Sequence, residues 1–132
     1  MKGGGASQVQ SLVSGAQTMG NARLVTAEVS VADVKALQAL GDALREALAD
    51  GVAVLGARLD DGRATVLAVV GDGLRDRGVR ADDVVRRVAA AAGGRGGGKP
   101  HMAQAGIPDV SKLDAALGEA PAIVGRHIGG AA

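Results

Sequence analysis

Two apolar segments constrain the fold of this chain more than any other feature of its sequence. Val52–Ala57 and Ala64–Val70 consist mainly of Val, Leu and Ala, and the Asp61-Gly62 pair between them is typical of a tight β-hairpin turn. Neither segment alternates apolar with polar residues, which predicts strands that are buried on both faces. Such a hairpin needs a sheet around it and helices that cover the sheet.

The remaining patterns predict one further strand and the covering helices. Asn21–Glu28 is predicted as a strand, and the capping-box sequence from Ser30 to Asp33 precedes an amphipathic helix that ends before Gly51. Apolar residues at helical spacing predict another helix over Ala81–Ala92. Two shorter helices are predicted near the C-terminus, over Asp109–Leu117 and from Pro121 to about Ile128. This order predicts an α/β (α+β) sandwich, in which helices cover a small mixed sheet whose strand order stays open.

The length of 132 residues corresponds to one domain, with a separate segment at its start. Ser7–Ala16 carries apolar residues at helical spacing behind a glycine-rich beginning, which predicts the remnant of a longer helix. We therefore expect residues 1–20 to form a truncated helical segment or linker, and residues 21–132 to form the globular domain.

The composition argues against several classes of site. Phe, Tyr, Trp and Cys are all absent, so the core has to be built from Val, Leu, Ile and Ala, and no thiolate can act as a ligand or nucleophile. The two histidines, His101 and His127, are too few for a zinc or iron site. Asp60 and Asp61 fit the turn of the hairpin better than a catalytic pair, and His127 fits the end of the last helix. We expect no metal, no cofactor and no catalytic residue in this chain.

The location of the protein is predicted from what its sequence lacks. No apolar run approaches the roughly 20 residues of a membrane span, and the first five residues lack the apolar core of a signal peptide. Together with the absence of cysteine, these features predict a cytoplasmic protein without a membrane partner.

The positive charge of the chain is concentrated behind the apolar hairpin. Although the net charge is only +1, residues 75–101 carry a local charge of +4 while residues 1–74 carry −2. The basic residues of this segment are Arg75, Arg77, Arg80, Arg86, Arg87, Arg95 and Lys99. A local basic patch is what the binding of a polyanion requires, although a solvated helix face would carry the same residue types.

A glycine-rich run follows the helix that is predicted to end at Ala92. Residues 93–106 read GGRGGGKPHMAQAG, with five glycines in the first six positions. A flexible linker is disfavoured, because folded sequence resumes directly after the run. A second interpretation is a nest, in which consecutive glycines turn several backbone N–H groups toward one phosphate and Arg95 and Lys99 supply charge. A third is a scaffold whose glycines only permit close packing.

The run does not match the common nucleotide-binding loops. No Gly-Lys-Ser/Thr sequence closes it, and it follows a helix, whereas phosphate-binding and dinucleotide-binding loops follow a strand. The run therefore predicts a phosphate-binding site without chemistry. Because aromatic side chains are absent, base stacking is excluded, and RNA binding here would depend on backbone amides, charge and shape.

The run and the residues after it resemble the glycine-rich signature of the C-terminal domain of alanyl-tRNA synthetases. In that family a glycine run, Arg or Lys, Pro and one polar residue precede Met-Ala-Gln-Ala-Gly, which is Met102–Gly106 here. A helix with the pattern Leu-x-x-Ala-Leu follows, here Leu113–Leu117. The upstream similarity extends to about Leu24, so the resemblance covers most of the chain. The family's domain belongs to the superfamily of DHH-associated, subtype 1 domains.

This resemblance implies a tRNA-binding accessory domain of an alanine–tRNA ligase, with no chemistry of its own. In the family the domain grips the outer corner (elbow) of tRNA and helps the aminoacylation and editing domains share one substrate. A helical segment before the globular part serves dimerisation, and Ser7–Ala16 resembles its remnant. The implied partners are an alanine-specific tRNA, the other domains of the synthetase and a second copy of the chain. The implied RNA-binding residues are Arg95, Gly96, Gly97, Gly98, Lys99, Pro100, His101, Gln104 and Gly106.

The sequence departs from the family pattern at two positions, and one of them bears on an alternative function. His101 stands where the family commonly has Asp, and Ile107 stands where a further Gly is common. In Asp-His-His phosphoesterases the related domain holds a nucleotide substrate with a Gly-Gly-Gly-His element, whereas here the histidine comes two positions later after Gly98. The alternative is therefore a nucleotide-binding or RNA-binding accessory domain of such a phosphoesterase. The domains encoded upstream in the parent reading frame distinguish the two.

Overall fold

The computed structural model of the chain describes residues 10–19, 22–48, 50–60 and 62–131, without the side chains of residues 19 and 127–131. One six-stranded sheet forms the centre of the fold, in the order β1-β2-β3-β4-β6-β5. Its strands are β1 (Gln17–Met19), β2 (Ala22–Val31), β3 (Gly51–Leu59), β4 (Ala64–Val70), β5 (Arg95–Gly98) and β6 (Met102–Ile107). β2 and β3 run parallel and the other neighbouring strands run antiparallel, so the sheet is mixed, as predicted.

Helices cover both faces of this sheet. They are α1 (Val34–Ala47), α2 (Asp72–Arg75), α3 (Ala81–Ala90) and α4 (Leu113–Ala131), with a 3₁₀ turn, Val110–Lys112, leading into α4. α1 packs on one face, and α3 and α4 pack on the other, which confirms the predicted α/β sandwich. The core under α1 includes Leu37, Leu40, Leu44, Leu55 and Leu67, and the core under α3 and α4 includes Val54, Val66, Val84, Val88 and Leu113.

The central hairpin forms as its sequence predicts. β3 and β4 pair antiparallel from Val52↔Val70 to Arg58↔Ala64, and Gly62 has the positive φ of 87° that such a turn favours. Every residue of β4 is buried, and so is all of β3 except its eighth residue. Alternate side chains of both strands enter the two cores, which explains why neither segment alternates in polarity.

Two glycines let the helices approach the sheet closely. A Cβ atom at Gly56 of β3 would lie 2.7 Å from Leu117 Cδ1 of α4, and a Cβ atom at Gly41 of α1 would overlap Leu67 of β4. A side chain at either position would push a helix away from the central hairpin. The close approach allows a core of small Val, Leu and Ala side chains to pack without any aromatic ring.

The segment before β2 contributes a strand to the sheet. Residues 10–14 are helical, and β1 pairs antiparallel with β2 inside the segment 1–20 that the sequence predicts as helical or linker. Arg23 Nη2 donates a hydrogen bond of 3.1 Å to the Val13 carbonyl oxygen, which ties the helical stretch to the sheet edge. The first residues of the helix expected over Ser7–Ala16 lie outside the described residues.

The glycine-rich run forms most of a β-hairpin, whose two strands the sequence does not predict. β5 pairs antiparallel with β6, a strand that the sequence does not predict at all. Glycine and alanine have low β-propensity, so neither strand carries a local signal. Both form because the edge of β4 is available for pairing with β6, from Ala64↔Ile107 to Val69↔Met102.

A single helix replaces the two helices predicted near the C-terminus. Pro121 lies inside α4, where a proline costs about 3 kcal/mol because it removes a backbone hydrogen bond and crowds the preceding turn. One continuous buried stripe runs along this helix, formed by Leu113, Ala116, Ala120, Ile123 and Val124. We attribute the unbroken helix to this packing, which outweighs the local cost of the proline.

Asp33 caps α1, and the predicted capping box that begins at Ser30 is wrong. The Asp33 side chain accepts a hydrogen bond of 2.9 Å from the backbone N–H of Ala36. Ser30 remains in β2, because that strand pairs with β3 as far as Val31↔Leu59. The helix therefore begins three residues later than a Ser30 cap would place it.

Replacing Asp33 with Ala is expected to lower the free energy of unfolding by about 1 kcal/mol, because the first turn of α1 loses its side-chain acceptor. Ser30→Ala is the matched control, since Ser30 is exposed and is expected to change the stability by less than about 0.5 kcal/mol. Urea unfolding followed by circular dichroism measures both variants. A larger loss in Ser30→Ala than in Asp33→Ala would contradict this assignment of the cap.

Candidate nucleic-acid interface

The hairpin formed by β5 and β6 lies at one edge of the sheet, and one of its faces is left uncovered. α1 packs mainly on β4 and β3, whereas α3 packs against β4, β5 and β6 from the opposite side. The side chain of Gln104 of β6 lies on the α1 side of the hairpin, since its Oε1 accepts a hydrogen bond of 2.9 Å from Gln38 Nε2 of α1. Met102 of β6 also packs against the core under α1, and the face is open at Gly97 and Gly106.

Cross-strand pairing places four of the predicted binding residues together on that open face. Arg95 pairs with Gly106 and Gly97 pairs with Gln104, and residues that pair directly point to the same side of a sheet. We call these four residues the glycine platform. A Cβ atom added at Gly97 or Gly106 would meet nothing within 4 Å, so backbone lies bare there.

The other glycines of the run are required by packing. A Cβ atom at Gly96 would overlap the carbonyl oxygen of Gln104, and one at Gly94 would overlap the carbonyl oxygen of Gly106. At Gly98 the φ of 156° disfavours any side chain, and a Cβ atom would lie 2.8 Å from Ala103 Cα. The close-packing interpretation therefore applies to Gly94, Gly96 and Gly98, whereas Gly97 has no steric reason to be glycine.

Arg95 of the glycine platform and the neighbouring Lys99 are cations, and both are exposed. Neither side chain makes a hydrogen bond or an ion pair with any residue that the structure describes. At the start of α3, by contrast, acidic residues neutralise two of the basic ones: Arg80 Nε lies 3.1 Å from Asp82 Oδ1, and Arg86 Nη2 lies 2.6 Å from Asp83 Oδ1. Much of the local charge of the sequence is thus compensated, and the hairpin keeps two uncompensated positive charges.

The tip of the hairpin, Pro100 and His101, is tied to the body of the domain. The Pro100 carbonyl oxygen accepts a hydrogen bond of 2.8 Å from Ala81 N, and the His101 carbonyl oxygen accepts one of 3.1 Å from Val70 N. Lys99 N donates to the Met102 carbonyl oxygen at 2.9 Å, which closes the turn. Since its backbone is fixed at three points, the tip presents its side chains from a defined position.

The imidazole of His101 is half-buried and lies in a positive environment. Burial is the main cause that lowers the pKa of His101 from its ordinary value, and the charges of Arg45, Arg75 and Lys99 lower it further. Asp42 acts in the opposite direction. His101 is therefore neutral at pH 7.

The structure adds residues to the site that the sequence does not indicate. A depression of about 360 Å³ beside the hairpin tip is lined by Gln38 and Asp42 of α1 together with Gly97, Lys99, His101 and Gln104. A second one, of about 590 Å³, lies at the base of the hairpin around Arg63, Gly94 and Arg95. The residues of α1 carry no sequence signal for this role, because polar side chains on the outside of an amphipathic helix look like ordinary solvated residues.

Metal-binding clusters and membrane-spanning helices are both absent from the described residues. Within these residues no group of three or more His, Cys, Asp or Glu side chains could hold a metal ion. No helix in the described part of the chain combines the length and apolar character that crossing a membrane requires. The side chain of His127 lies outside the described set, so its expected role at the helix end stays a prediction.

Comparison with known proteins assigns most of the chain to one family. The model of the DHHA1 domain matches residues 21–125. The alanine–tRNA ligase of Desulfitobacterium hafniense is 39% identical over 122 residues, which cover 92% of this chain and 14% of that ligase. The chain thus spans about one seventh of the length of the curated relatives that it matches.

Two solved structures share the fold. The C-Ala domain from Aquifex aeolicus alanyl-tRNA synthetase matches with a TM-score of 0.68 at 24% identity, covering 86% of this chain and 96% of that chain. The DHH domain of a member of the s1p family of ribosomal proteins matches with a TM-score of 0.60 at 14% identity, covering 89% of this chain and 30% of that chain. Both likenesses concern the arrangement of strands and helices.

Replacing a glycine of β5 with alanine is expected to affect the free energy of unfolding differently on the two faces of the strand. Gly96→Ala is expected to lower the free energy of unfolding by about 1–3 kcal/mol, because its methyl group overlaps the backbone of β6. Gly97→Ala, one residue further on, is expected to stay within about 0.5 kcal/mol of the wild type, since its methyl group enters open space. Thermal unfolding of the two variants checks this. Equal destabilisation would contradict the pairing register of β5 and β6.

The lowered pKa of His101 predicts a dependence of stability on pH. The unfolded chain has an ordinary imidazole pKa of 6.5, so it takes up a proton at a higher pH than the folded chain does. The contribution of His101 to stability is therefore complete above pH 6.5 and is lost as the pH falls through 6.5 toward the folded pKa. We expect the melting temperature to fall more steeply between about pH 7.5 and 5.5 for the wild type than for His101→Gln. Parallel curves would show that burial does not perturb this histidine.

Proposed function

Because this chain belongs to the DHHA1 domain family, we propose that it is the C-terminal accessory domain of an alanine–tRNA ligase and that it binds tRNA through the β5–β6 hairpin. The synthetase context is supported by curated relatives that match more than nine-tenths of the chain. The observation that carries the proposed site is the combination on one open face of bare backbone at Gly97 and Gly106 with the unpaired cations Arg95 and Lys99. Binding by this domain assists the catalytic domains of the ligase, and the domain itself does no chemistry.

The hairpin suits a phosphodiester backbone better than it suits a base. No aromatic side chain is available for stacking, so the binding energy has to come from charge and from hydrogen bonds to phosphate. Gly97 and Gly106 let a phosphate group come close to the backbone, where no side chain keeps it away. β5 is an edge strand, and alternate N–H groups of an edge strand are unpaired and can donate to an anion. Arg95 supplies a bidentate contact and Lys99 a point charge.

The finer features of the proposal follow from the family resemblance. The ligand is an alanine-specific tRNA gripped at its elbow, and the grip holds one substrate for both the aminoacylation and the editing domains. The helical segment at the start of the chain, of which residues 10–14 are described, is the element through which two copies would dimerise. The place of action is the cytoplasm, where tRNA is charged. No cofactor takes part in this binding.

An accessory domain of an Asp-His-His phosphoesterase remains the second candidate, because a DHH-domain structure shares the fold with a TM-score of 0.60. At 14% identity this likeness carries no information about the ligand. In this chain His101 lies close to the charges of Arg45 and Arg75, and it also lines the depression that Gly97 and Gln104 line. The parent reading frame separates the candidates: ligase and editing domains upstream support the first, and an Asp-His-His motif upstream supports the second.

Arg95→Ala is expected to weaken tRNA binding by about 1–3 kcal/mol, because a charge-assisted contact to phosphate is lost. Gly97→Val is expected to weaken it as well, since a branched side chain fills the open platform. Neither variant should lower the melting temperature much, because both positions face solvent. Arg126→Ala is the matched control, since Arg126 is exposed on α4, which covers the opposite face of the sheet.

Filter binding of tRNA at two salt concentrations measures these effects. The affinity of the wild type is expected to be weak and to fall steeply with salt, because phosphate neutralisation releases counterions. An affinity that is independent of salt would contradict the proposed driving force. If Arg95→Ala and Arg126→Ala lose the same amount of affinity, the loss reflects only the reduced net charge of the domain, and the hairpin is not the binding site.

A further inference from the structure

A second cluster of cations lies beside the hairpin tip, where the ends of α1 and α2 meet. Arg75 of α2 donates a hydrogen bond to Asp72 Oδ1, and Arg45 Nη1 of α1 lies 3.9 Å from the same oxygen. Arg45 Nη2 lies 3.8 Å from Asp42 Oδ1. Both Arg45 distances are longer than a hydrogen bond, so the Arg45 side chain donates no hydrogen bond to any residue that the structure describes.

Several hydrogen-bond donors of the two guanidinium groups have no acceptor among the neighbouring residues. The side chains of Arg45 and Arg75 are only 26% and 33% exposed, and the Nε atom of each is buried without a hydrogen-bond partner. Guanidinium groups that are half-buried usually have their donors paired, because desolvating an unpaired donor is unfavourable. The buried Nε atoms are closed to a ligand from solvent, but the Nη atoms of Arg45, which are not hydrogen-bonded to a carboxylate, can donate to an anion.

His101 completes the cluster from the hairpin side. The charged groups that face its imidazole are Arg45, Arg75 and Lys99, which are positive, and Asp42 and Asp72, which are negative. With a neutral imidazole the cluster has an excess of one positive charge, and protonation of His101 would raise this to two. Lys99 belongs both to this cluster and to the depression that Gly97 and Gln104 line, so the cluster continues the surface of the glycine platform.

We propose that Arg45, Arg75 and His101 form a second phosphate-binding pocket, which takes a backbone phosphate next to the one bound at the glycine platform. This inference rests on the proposed function for the identity of the ligand, although the pocket itself is defined by the residues around Asp72. A phosphodiester fits because it offers several acceptor oxygens and one negative charge to a cluster with excess positive charge. Asp72 and Asp42 then hold the arginines in place, while the Nη atoms of Arg45, which make no hydrogen bond to either carboxylate, can donate to the phosphate.

Binding of a phosphate in this pocket is coupled to protonation of the His101 imidazole. In the free protein His101 is neutral at pH 7, because burial and the neighbouring cations lower its pKa. A phosphate group at Arg45 and Arg75 adds negative charge next to the imidazole and raises that pKa. Binding therefore takes up a proton, and the affinity for RNA rises as the pH falls from about 7.5 to 5.5.

The test compares tRNA binding by the wild type, Arg45→Gln, His101→Gln and the control Arg126→Gln, at about pH 7.5 and 5.5 and at two salt concentrations. Arg45→Gln is expected to weaken binding about tenfold and to reduce the slope of log affinity against log salt by about one. His101→Gln is expected to remove the rise in affinity between about pH 7.5 and 5.5, because no group in this variant takes up a proton when phosphate binds. The melting temperature of each variant reports whether it is folded, and His101→Gln keeps the test valid if Arg45→Gln unfolds.

A titration of each protein with inorganic phosphate alone, followed by the NMR signals of the histidine imidazoles, separates this inference from the proposed function. Phosphate should raise the pKa of His101 in the wild type and not in Arg45→Gln, even if no tRNA binds. If tRNA binding falls with Arg95→Ala and is unchanged in Arg45→Gln and His101→Gln, the pocket is refuted while the proposed function stands. If tRNA does not bind but phosphate still shifts His101, the pocket exists for a free phosphate or nucleotide. No shift with phosphate and no effect on tRNA overturns the inference.

Discussion

The burial of the β3–β4 hairpin on both faces is the constraint on which the rest of the structure depends. Strands whose side chains are apolar in both directions need helices on both sides, and they receive α1 on one face and α3 with α4 on the other. The core has no aromatic side chain to fill space, so the helices have to lie close, and Gly41 and Gly56 permit this. The outer strands, β1 and β5, are then left at the edges with one neighbour each.

The candidate interface lies at the edge of the sheet, where α1 no longer covers the strands. α3 extends over the β5–β6 hairpin, but α1 on the opposite side packs mainly on β4 and β3 and touches β6 at Gln104 and Met102. The same residue type therefore has two roles within one strand. Gly96 and Gly98 face Ala103 and Ala105, where no Cβ atom fits, while Gly97 faces open space beside Arg95 and Lys99. Close packing on one face and access to backbone on the other are both consequences of small side chains, so the two interpretations of the glycines are complementary.

Electrostatic compensation decides which basic residues remain available to a ligand. Asp82 and Asp83 neutralise Arg80 and Arg86 on α3, and exposed pairs of this kind contribute little to stability. Asp72 shares one oxygen between Arg75 and Arg45, and neither Nε atom finds an acceptor. Among the basic residues of 75–101, Arg95 and Lys99 on the hairpin make no ion pair with a described residue, and the same holds for Arg77 and Arg87.

The sequence by itself determined the elements that carry a strong local pattern. These are the central hairpin, the amphipathic helices α1 and α3, and the mixed sheet covered by helices. Its match to a known signature also indicated the family. The tertiary structure alone decided the rest. β6 and β5 form because β4 presents a pairing edge, α4 continues through Pro121 because its stripe packs on the sheet, and Asp33 caps α1 because Ser30 is held in β2. Arg45, separated from His101 by more than fifty residues, reaches the hairpin tip only through the packing of α1 across the sheet. Local patterns follow from the preferences of neighbouring residues, whereas strand partners, caps and charge clusters depend on contacts between distant segments, and no single segment contains that information.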